Sequence, residues 1–329
     1  MTETSRLIPE QELFGVYDSS KIQEFAKCRR RFFFHHVLAW RADEPNIHLE
    51  FGSAVHYAME HLMRDGLTPE AGVKGFKAFY KYYRSVFGPE WDEANAPKNP
   101  DNFLRGIPQY IEKWEETDAK NTPHKIETAI AVGVGNGRVV HAKSDAIVET
   151  PQGMACIEHK TGSYFNKTWA SQWRKKFQAT TYNHVLFCLY DEKDVYGVII
   201  NGIFLSNEPQ LKKDGTPRAN SRDNEFHRVP VTKTLRQMEA WLAEVNWYID
   251  EIQTEFEKLY SQKEDDHVMK AFPANGEACT EFGRTCAFLN VCDAWENPLQ
   301  HVEEIPTGFH VEHWDPRKHE RATESIEVG

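Results

Sequence analysis

The sequence predicts a mixed α/β protein of the α+β kind, and three observations carry that prediction. Helical periodicity dominates the first third, strand and turn signals fill 126–160, and helix and strand signals then alternate to about residue 262. The first helix opens at Asp18-Ser19-Ser20, capping residues ahead of Ile22, Phe25 and Ala26, and is expected to end near Leu38. Beyond a polar loop with Pro45, residues 52–64 read as a second helix with Ala54, Val55, Ala58, Met59 and Leu62 on its apolar side. Helices are expected at 70–87 and 102–117, on either side of a breaker-rich 88–100. Strands follow at 126–134, 139–149 and 154–160, joined by turns at Gly135-Asn136-Gly137 and Thr150-Pro151-Gln152-Gly153. A helix at 171–189 comes next, then strands at 195–205 and 225–231 around an exposed polar loop at 206–224. A long helix at 233–262 carries Trp241, Leu242, Val245 and Ile249, and a cysteine-bearing segment and an acidic tail close the chain.

Composition narrows the function classes. Of 329 residues, 40% are hydrophobic and 27% charged, with 20 Phe and 9 Trp, enough to bury a core and to exclude wholesale disorder. The apolar stretches 185–190 and 198–205 are too short to span a bilayer, so no membrane partner is expected. Met1-Thr2-Glu3-Thr4-Ser5-Arg6 has neither the basic nor the apolar region of a secretory signal. Six cysteines are too few for a disulfide scaffold, and a reducing, cytoplasmic setting is the expectation. The net charge of −11 argues against a protein that coats nucleic acid, though not against a local basic groove. Basic clusters occur at Lys27-Cys28-Arg29-Arg30-Arg31, at Arg174-Lys175-Lys176, and at Lys212-Lys213 with Arg218 and Arg222. Each is also what an ordinary solvated face looks like.

The central hairpin holds the chemistry. A symmetric register about the turn at 150–153 sets Asp145 directly opposite Glu158, with Cβ atoms about 5 Å apart. Lys160 lies two residues beyond Glu158 and shares its face. Two carboxylates this close repel unless a cation lies between them, and hard oxygen donors suit Mg²⁺ or Mn²⁺. On these residues alone, a surface salt-bridge ladder is the other reading.

Asp145 followed by Glu158-His159-Lys160 resembles the split D…(D/E)xK signature of the PD-(D/E)XK nuclease superfamily. Phe51-Gly52-Ser53-Ala54-Val55-His56 resembles the "FGxxxH" helix of its RecB-like exonuclease branch, and Gln178-Ala179-Thr180-Thr181-Tyr182 that branch's QxxxY motif. Phe25 to Phe32 resembles its N-terminal "FxxCPRxF" element, with Arg29 where Pro is usual. The resemblance spans about residues 17–292. It implies a restriction-endonuclease-like αβββαβ core with a mixed central sheet, which agrees with the order of elements above. It further implies one RecB-like nuclease domain over 1–300, with a helical insertion at about 66–120, a cysteine-cluster segment at 272–295 and an acidic tail at 301–329. Asp145, Glu158, His56 and the backbone carbonyl of His159 would hold Mg²⁺ or Mn²⁺, the imidazole favouring Mn²⁺. Lys160 would lower the pKa of the attacking water or stabilise charge developing in the transition state. Gln178 and Tyr182, one helical turn apart, would orient Lys160 and the phosphate. For His56 a hydrogen-bonded core histidine, and for Gln178 and Tyr182 a half-buried helix stripe, are the structural alternatives.

Cys279, Cys286 and Cys292 fall within one short segment, and Cys28 lies far upstream. RecB-like nucleases of the AddB type and CRISPR-associated exonucleases hold a [4Fe-4S] cluster on one N-terminal and three C-terminal cysteines, and the resemblance implies the same here. The first C-terminal pair is spaced more widely than in the commoner form. Four thiolates suit zinc as well as an iron–sulfur cluster, and iron–sulfur is the expectation. Cys156 and Cys188, among apolar neighbours, read as buried thiols. Gly133, Gly135 and Gly137 join strand to strand and form no dinucleotide loop, and no complete Walker A signature occurs. Any helicase activity would come from a helicase or recombination partner.

The expected activity is therefore a metal-dependent DNA exonuclease acting on single- or double-stranded ends, with DNA contacts at Arg29, Arg30, Arg31, Arg174, Lys175 and Lys176. The rival readings are a catalytically inactive DNA-end-binding subunit of a larger repair complex and a metal-stapled interaction module.

Overall fold

The computed structural model describes residues 8–209, 212, 221–263, 265–281, 284–318 and 322–329. The N-terminal start, Lys213, Arg218 and most of the loop expected at 206–224 lie outside the described residues. The chain adopts the mixed α/β class, with a seven-stranded sheet and helices on both sides.

A short strand, β1 (Tyr17–Asp18), leads into α1 (Ser19–Lys27), capped by Asp18, whose Oδ1 accepts from the Lys21 N–H at 2.6 Å. The single helix expected as far as Leu38 breaks at Cys28, which is extended at φ −156°, ψ 110°. It resumes as α2 (Arg29–Phe32) and a wider-turned stretch, Phe33–Val37. After β2 (Trp40–Ala42), α3 (Ile47–Asp65) starts earlier than Gly52 because Asn46 caps it. Two helices follow, α4 (Pro69–Val86) and α5 (Pro100–Asp118), each opening on a proline behind a capping Thr68 or Asn99. Phe79, Tyr83, Phe103 and Ile107 pack with Phe51 and Val55 of α3 in a core of their own.

Three antiparallel strands form the heart of the sheet: β3 (Thr122–Gly133), β4 (Val139–Thr150) and β5 (Gly153–Gly162). The helix expected at 171–189 is two, α6 (Lys167–Gln172) and α7 (Phe177–Leu189), because Lys176 is extended at ψ 132° and opens a new helix. They supply the crossover that lets β6 (Val195–Phe204) pair parallel to β5, and β7 (Glu225–Val231) closes that edge antiparallel to β6. Thr234 and Gln237 form a capping box on α8 (Leu235–Ser261). The cysteine segment contains β8 (Thr280–Glu281), β9 (Arg284–Thr285) and α9 (Leu289–Ala294).

Residues 301–329 are not a free acidic tail. They supply β10 (Phe309–Val311), antiparallel to β2, and β11 (Glu324–Val328), parallel to β3, giving the order β11-β3-β4-β5-β6-β7 with β1 beside β4. The acidic residues mask an apolar set, Phe309, Ile326 and Val328, that packs on the main core. That core lies between the sheet and α1, α7 and α8, and includes Ile22, Phe25, Ile147, Val198, Val245 and Ile249. On the other side, Met63 of α3 packs on Ala146, Val148, Ala155 and Ile157. No helix among the described residues is long and apolar enough to cross a membrane.

Candidate active site

The β4–β5 ladder runs from Thr150↔Gly153 to Ala146↔Ile157, the register expected from the turn. Asp145 and Glu158 are the next facing positions, and there the ladder stops: β4 continues on β3 while β5 continues on β6. The parting strands leave polar groups to be satisfied by side chains. The His159 N–H donates to Asp145 Oδ2 at 2.8 Å, and His56 of α3 brings its Nδ1 to 2.9 Å from Asp145 Oδ1. Lys160 Nζ lies 2.5 Å from Glu158 Oε1 and 5.9 Å from the centre of the Trp173 ring. Asp145, Glu158, Lys160 and His56 are thus brought together, with the carboxylates 5% and 2% exposed.

Gln178 and Tyr182 do something other than expected. The Gln178 side-chain amide donates to Tyr182 Oη at 3.2 Å, and the Tyr182 hydroxyl donates to the Lys143 carbonyl at 2.6 Å. The pair therefore anchors α7 to the strand that carries Asp145. Behind the site, His159 Nδ1 is 2.8 Å from the Asn201 amide nitrogen, which also donates to Tyr110 Oη at 2.9 Å.

The electrostatics follow from burial and proximity. Burial pushes the Asp145 carboxyl up, but His56 and the His159 N–H outweigh it and hold it below the usual carboxylate range. Glu158 is pushed up, first by burial and then by the charge of Asp145. Burial opposes charge on His56, yet Asp145 raises it overall, whereas burial takes His159 down to about 3. Glu158 Oε2 is buried with no hydrogen-bond partner. An interior carboxylate oxygen left in that state is costly, and a cation removes the cost. Two carboxylates and an imidazole form a donor set that fits a divalent ion of the Mg²⁺/Mn²⁺ type.

The profile of the PD-(D/E)XK nuclease superfamily matches residues 19–293, most of the chain. The chain belongs to the PD-(D/E)XK nuclease superfamily. No curated protein matches it. Among solved structures it is similar to one titled "Crystal structure of SSO0001", at 13% identity over 68% of this chain and 80% of that chain, with a TM-score of 0.20. A likeness of that size carries no argument. Membership implies a metal-dependent nuclease acting on DNA, and nucleases of this superfamily use divalent metals.

Sequence reasoning missed one residue of this PD-(D/E)XK site. Glu127 on β3 is 1% exposed, and one of its carboxylate oxygens lies within 4.8 Å of an Asp145 oxygen and a His56 nitrogen. The signal was available, since a register centred on Asn136 sets Glu127 opposite Asp145. A second tight cluster, Glu24 with His35 and His36, is closed by Arg31, whose Nε sits 2.8 Å from Glu24 Oε1.

Three of the expected DNA contacts turn inward instead. Arg30 donates to the Phe272 carbonyl at 2.9 Å and is buried. Arg29 pairs with Glu251 and with the fully buried Glu255, both at 2.7 Å, and Arg31 pairs with Glu24. Only the acids facing Arg29 are distant in sequence; Arg31 meets Glu24 seven positions away, and Arg30 meets backbone carbonyls. Arg174 and Lys175 are exposed, and Lys176 is half-buried, its ammonium lowered first by burial and then by Lys27.

The break at Cys28 faces the C-terminal segment, where the Asn275 N–H donates to Cys28 Sγ at 3.5 Å. Burial raises the Cys292 thiol, and Cys28, Cys279 and Cys286 raise it further, while the Arg30 guanidinium lowers it. The Cys286 N–H donates to the Cys279 carbonyl at 2.8 Å, so those two residues are direct neighbours. Cys156 is buried and Cys188 half-buried.

Proposed function

We propose that this superfamily member is a DNA exonuclease of the RecB-like type. Asp145, Glu158, His56 and the His159 carbonyl would hold Mg²⁺ or Mn²⁺, and Cys28, Cys279, Cys286 and Cys292 a [4Fe-4S] cluster. The observation that carries the reading is the buried Glu158 Oε2 beside Asp145, a carboxylate oxygen without a hydrogen-bond partner among the described residues, which a cation would satisfy. A bound cation supplies Lewis-acid polarisation of the phosphodiester and a more acidic attacking water. The chain's own residues do the rest. The His159 N–H fixes the rotamer of Asp145, and Tyr182 fixes the strand beneath it. Lys160, held by Glu158, presents an ammonium where negative charge grows on the phosphate. Exposed Arg174 and Lys175, just ahead of α7, are placed to bind the DNA backbone despite the net charge of −11.

The test is a time course on end-labelled linear DNA and closed circular DNA, single- and double-stranded, with Mg²⁺ or Mn²⁺. Linear DNA should be degraded from its ends while circles survive. Cutting of circles at the same rate would make the enzyme an endonuclease, and no cleavage with either metal would return it to the end-binding class.

A further inference from the structure

Lys98 is a buried cation that faces no anion. It lies on the connection between α4 and α5 and is 9% exposed. Its backbone is tied down independently of its charge: the N–H donates to the Asn95 carbonyl at 2.8 Å, and the carbonyl accepts from the Tyr83 hydroxyl at 3.2 Å. The side chain ends on His48 Nδ1, at the start of α3. That is the one hydrogen bond of the ammonium among the described residues, so two of its three donors are unused.

No neighbouring charge offsets it. Lys98 is taken down to about 8, first by burial and then by the Arg284 guanidinium of β9, and His48 is taken down to about 4 by burial, Lys98 and Arg284. An imidazole at that level is neutral at physiological pH and can only accept from Lys98. A buried ammonium without a counter-ion costs free energy, and an anion from outside removes the cost.

The pair lines an opening with room for one. A cavity of about 800 Å³ is lined by His48, Lys98, Arg222 and Ser163. Its one carboxylate, Glu208, is exposed and pairs with neither Lys98 nor Arg222 among the described residues. Two elements connect this cavity to the cleavage site. His48 is eight residues before His56 on α3, about 12 Å of helix rise. Ser163 is three residues beyond Lys160, about 10 Å of extended chain. A strand with one phosphodiester at Lys160 therefore has another phosphate, a few nucleotides along, within reach of Lys98.

We infer that Lys98, His48 and Arg222 form a subsite for a backbone phosphate of the nucleic-acid strand, separate from the metal centre. This rests on the reading that DNA is cleaved at Asp145, Glu158 and Lys160. Lys98 supplies the charge, His48 fixes the direction of the ammonium, and Arg222 meets the strand at the exposed rim.

The experiment is steady-state cleavage of whichever labelled linear DNA the wild type cuts, single- or double-stranded, with Mn²⁺ at several salt concentrations, beside thermal unfolding of the same proteins. Lys98→Met keeps the length of the side chain without the charge. It should raise KM about tenfold, the scale of one lost charged contact, with the effect falling on KM rather than kcat. The fall of log kcat/KM with log salt should become shallower by about 0.7–0.9, the share of one phosphate. The melting temperature should hold or rise, because a buried unpaired ammonium is gone. Arg222→Ala, on the exposed rim, should shift KM and the salt slope in the same directions. If Lys98 only pins the α4–α5 connection to His48, Lys98→Met melts lower while KM and salt slope stay as in wild type, and the inference falls. It also falls, alone, if inorganic phosphate protects wild type from heat while neither variant changes KM, since the site then serves a free anion. Wild type cutting no DNA overturns this inference together with the reading beneath it.

Discussion

Lys160 and Glu158 are held together at 2.5 Å while the other oxygen of Glu158 goes without a hydrogen bond, and this asymmetry divides their roles. On the proposed reading the ammonium would serve the reacting phosphate, and the carboxylate the cation. Lys160→Ala should therefore cut turnover by about a hundredfold or more, the scale of losing one preorganised charge stabiliser, while Mn²⁺ uptake persists; without the cation its melting temperature should fall, because Glu158 loses its ion-pair partner. Steady-state cleavage alongside Mn²⁺ titration separates the two, and wild-type turnover in the variant would remove Lys160 from the chemistry. At this scale the sequence was legible wherever a turn set the register. Thr150 to Gly153 located Asp145 against Glu158, and the turn about Asn136 held the same information for Glu127. The left-handed backbone at Glu127 was not legible, because nothing in a glutamate's local preferences asks for it. The direction of Arg29, Arg30 and Arg31 was equally hidden. For Arg29 the acids, Glu251 and Glu255, lie more than two hundred positions away, and for Arg30 the partners are backbone carbonyls just as distant.

The first helix was legible because cap and periodicity agreed at Asp18, and the helices behind Thr68, Asn99 and Thr234 were legible from periodicity, with their caps seen only in the structure. Elements were misjudged where a single extended residue, Cys28 or Lys176, divides a helical pattern that stays apolar on both sides. Those breaks matter, because each helix is docked by a few polar contacts. The short α2 is tied to α8 through Arg29 on Glu255, which is 0% exposed and also accepts from the Phe272 N–H at 2.5 Å. Arg29→Ala should lower unfolding free energy by about 3 kcal/mol, the lower end for breaking a buried pair, since Lys258 at 2.9 Å stays with Glu255. Denaturant titration measures this, and DNA affinity of the folded protein should be unchanged. A large loss of affinity without loss of stability would restore Arg29 to the DNA contacts. The docking of α7 on β4 has its own reporter. Tyr182→Phe removes the donor to the Lys143 carbonyl, which should cost about 1–3 kcal/mol and lower turnover by loosening the strand under Asp145. Unaltered stability in that variant would mean that packing alone holds α7.

The whole molecule is closed by its two ends. β11 completes the sheet edge on β3, β10 pairs with β2, and the cysteine segment returns to the break between α1 and α2. The charge of residues 301–329 suggested a solvated tail, and only the placement of Phe309, Ile326 and Val328 on the core shows otherwise. The cysteines, like the pairing of β10 with β2, would close a loop of about 250 residues or more, and in the chain-entropy view a closure of that length gains most. Full closure would be worth about 5 kcal/mol on that view, less any strain at the four thiols. The role of the proposed cluster would then be to hold the C-terminal segment against α1, and not to carry electrons for hydrolysis. Protein purified without oxygen should be brown, with broad absorbance near about 400 nm from iron–thiolate charge transfer. Cys292→Ser should bleach that colour and lower the unfolding midpoint, while the fraction that stays folded still binds Mn²⁺, because the cation site draws its ligands from α3, β4 and β5. Zinc in place of iron on metal analysis would keep the closure and discard the cluster. A Cys292→Ser protein as stable as wild type would discard the closure itself, leaving β10 and β11 to hold the C-terminus on their own.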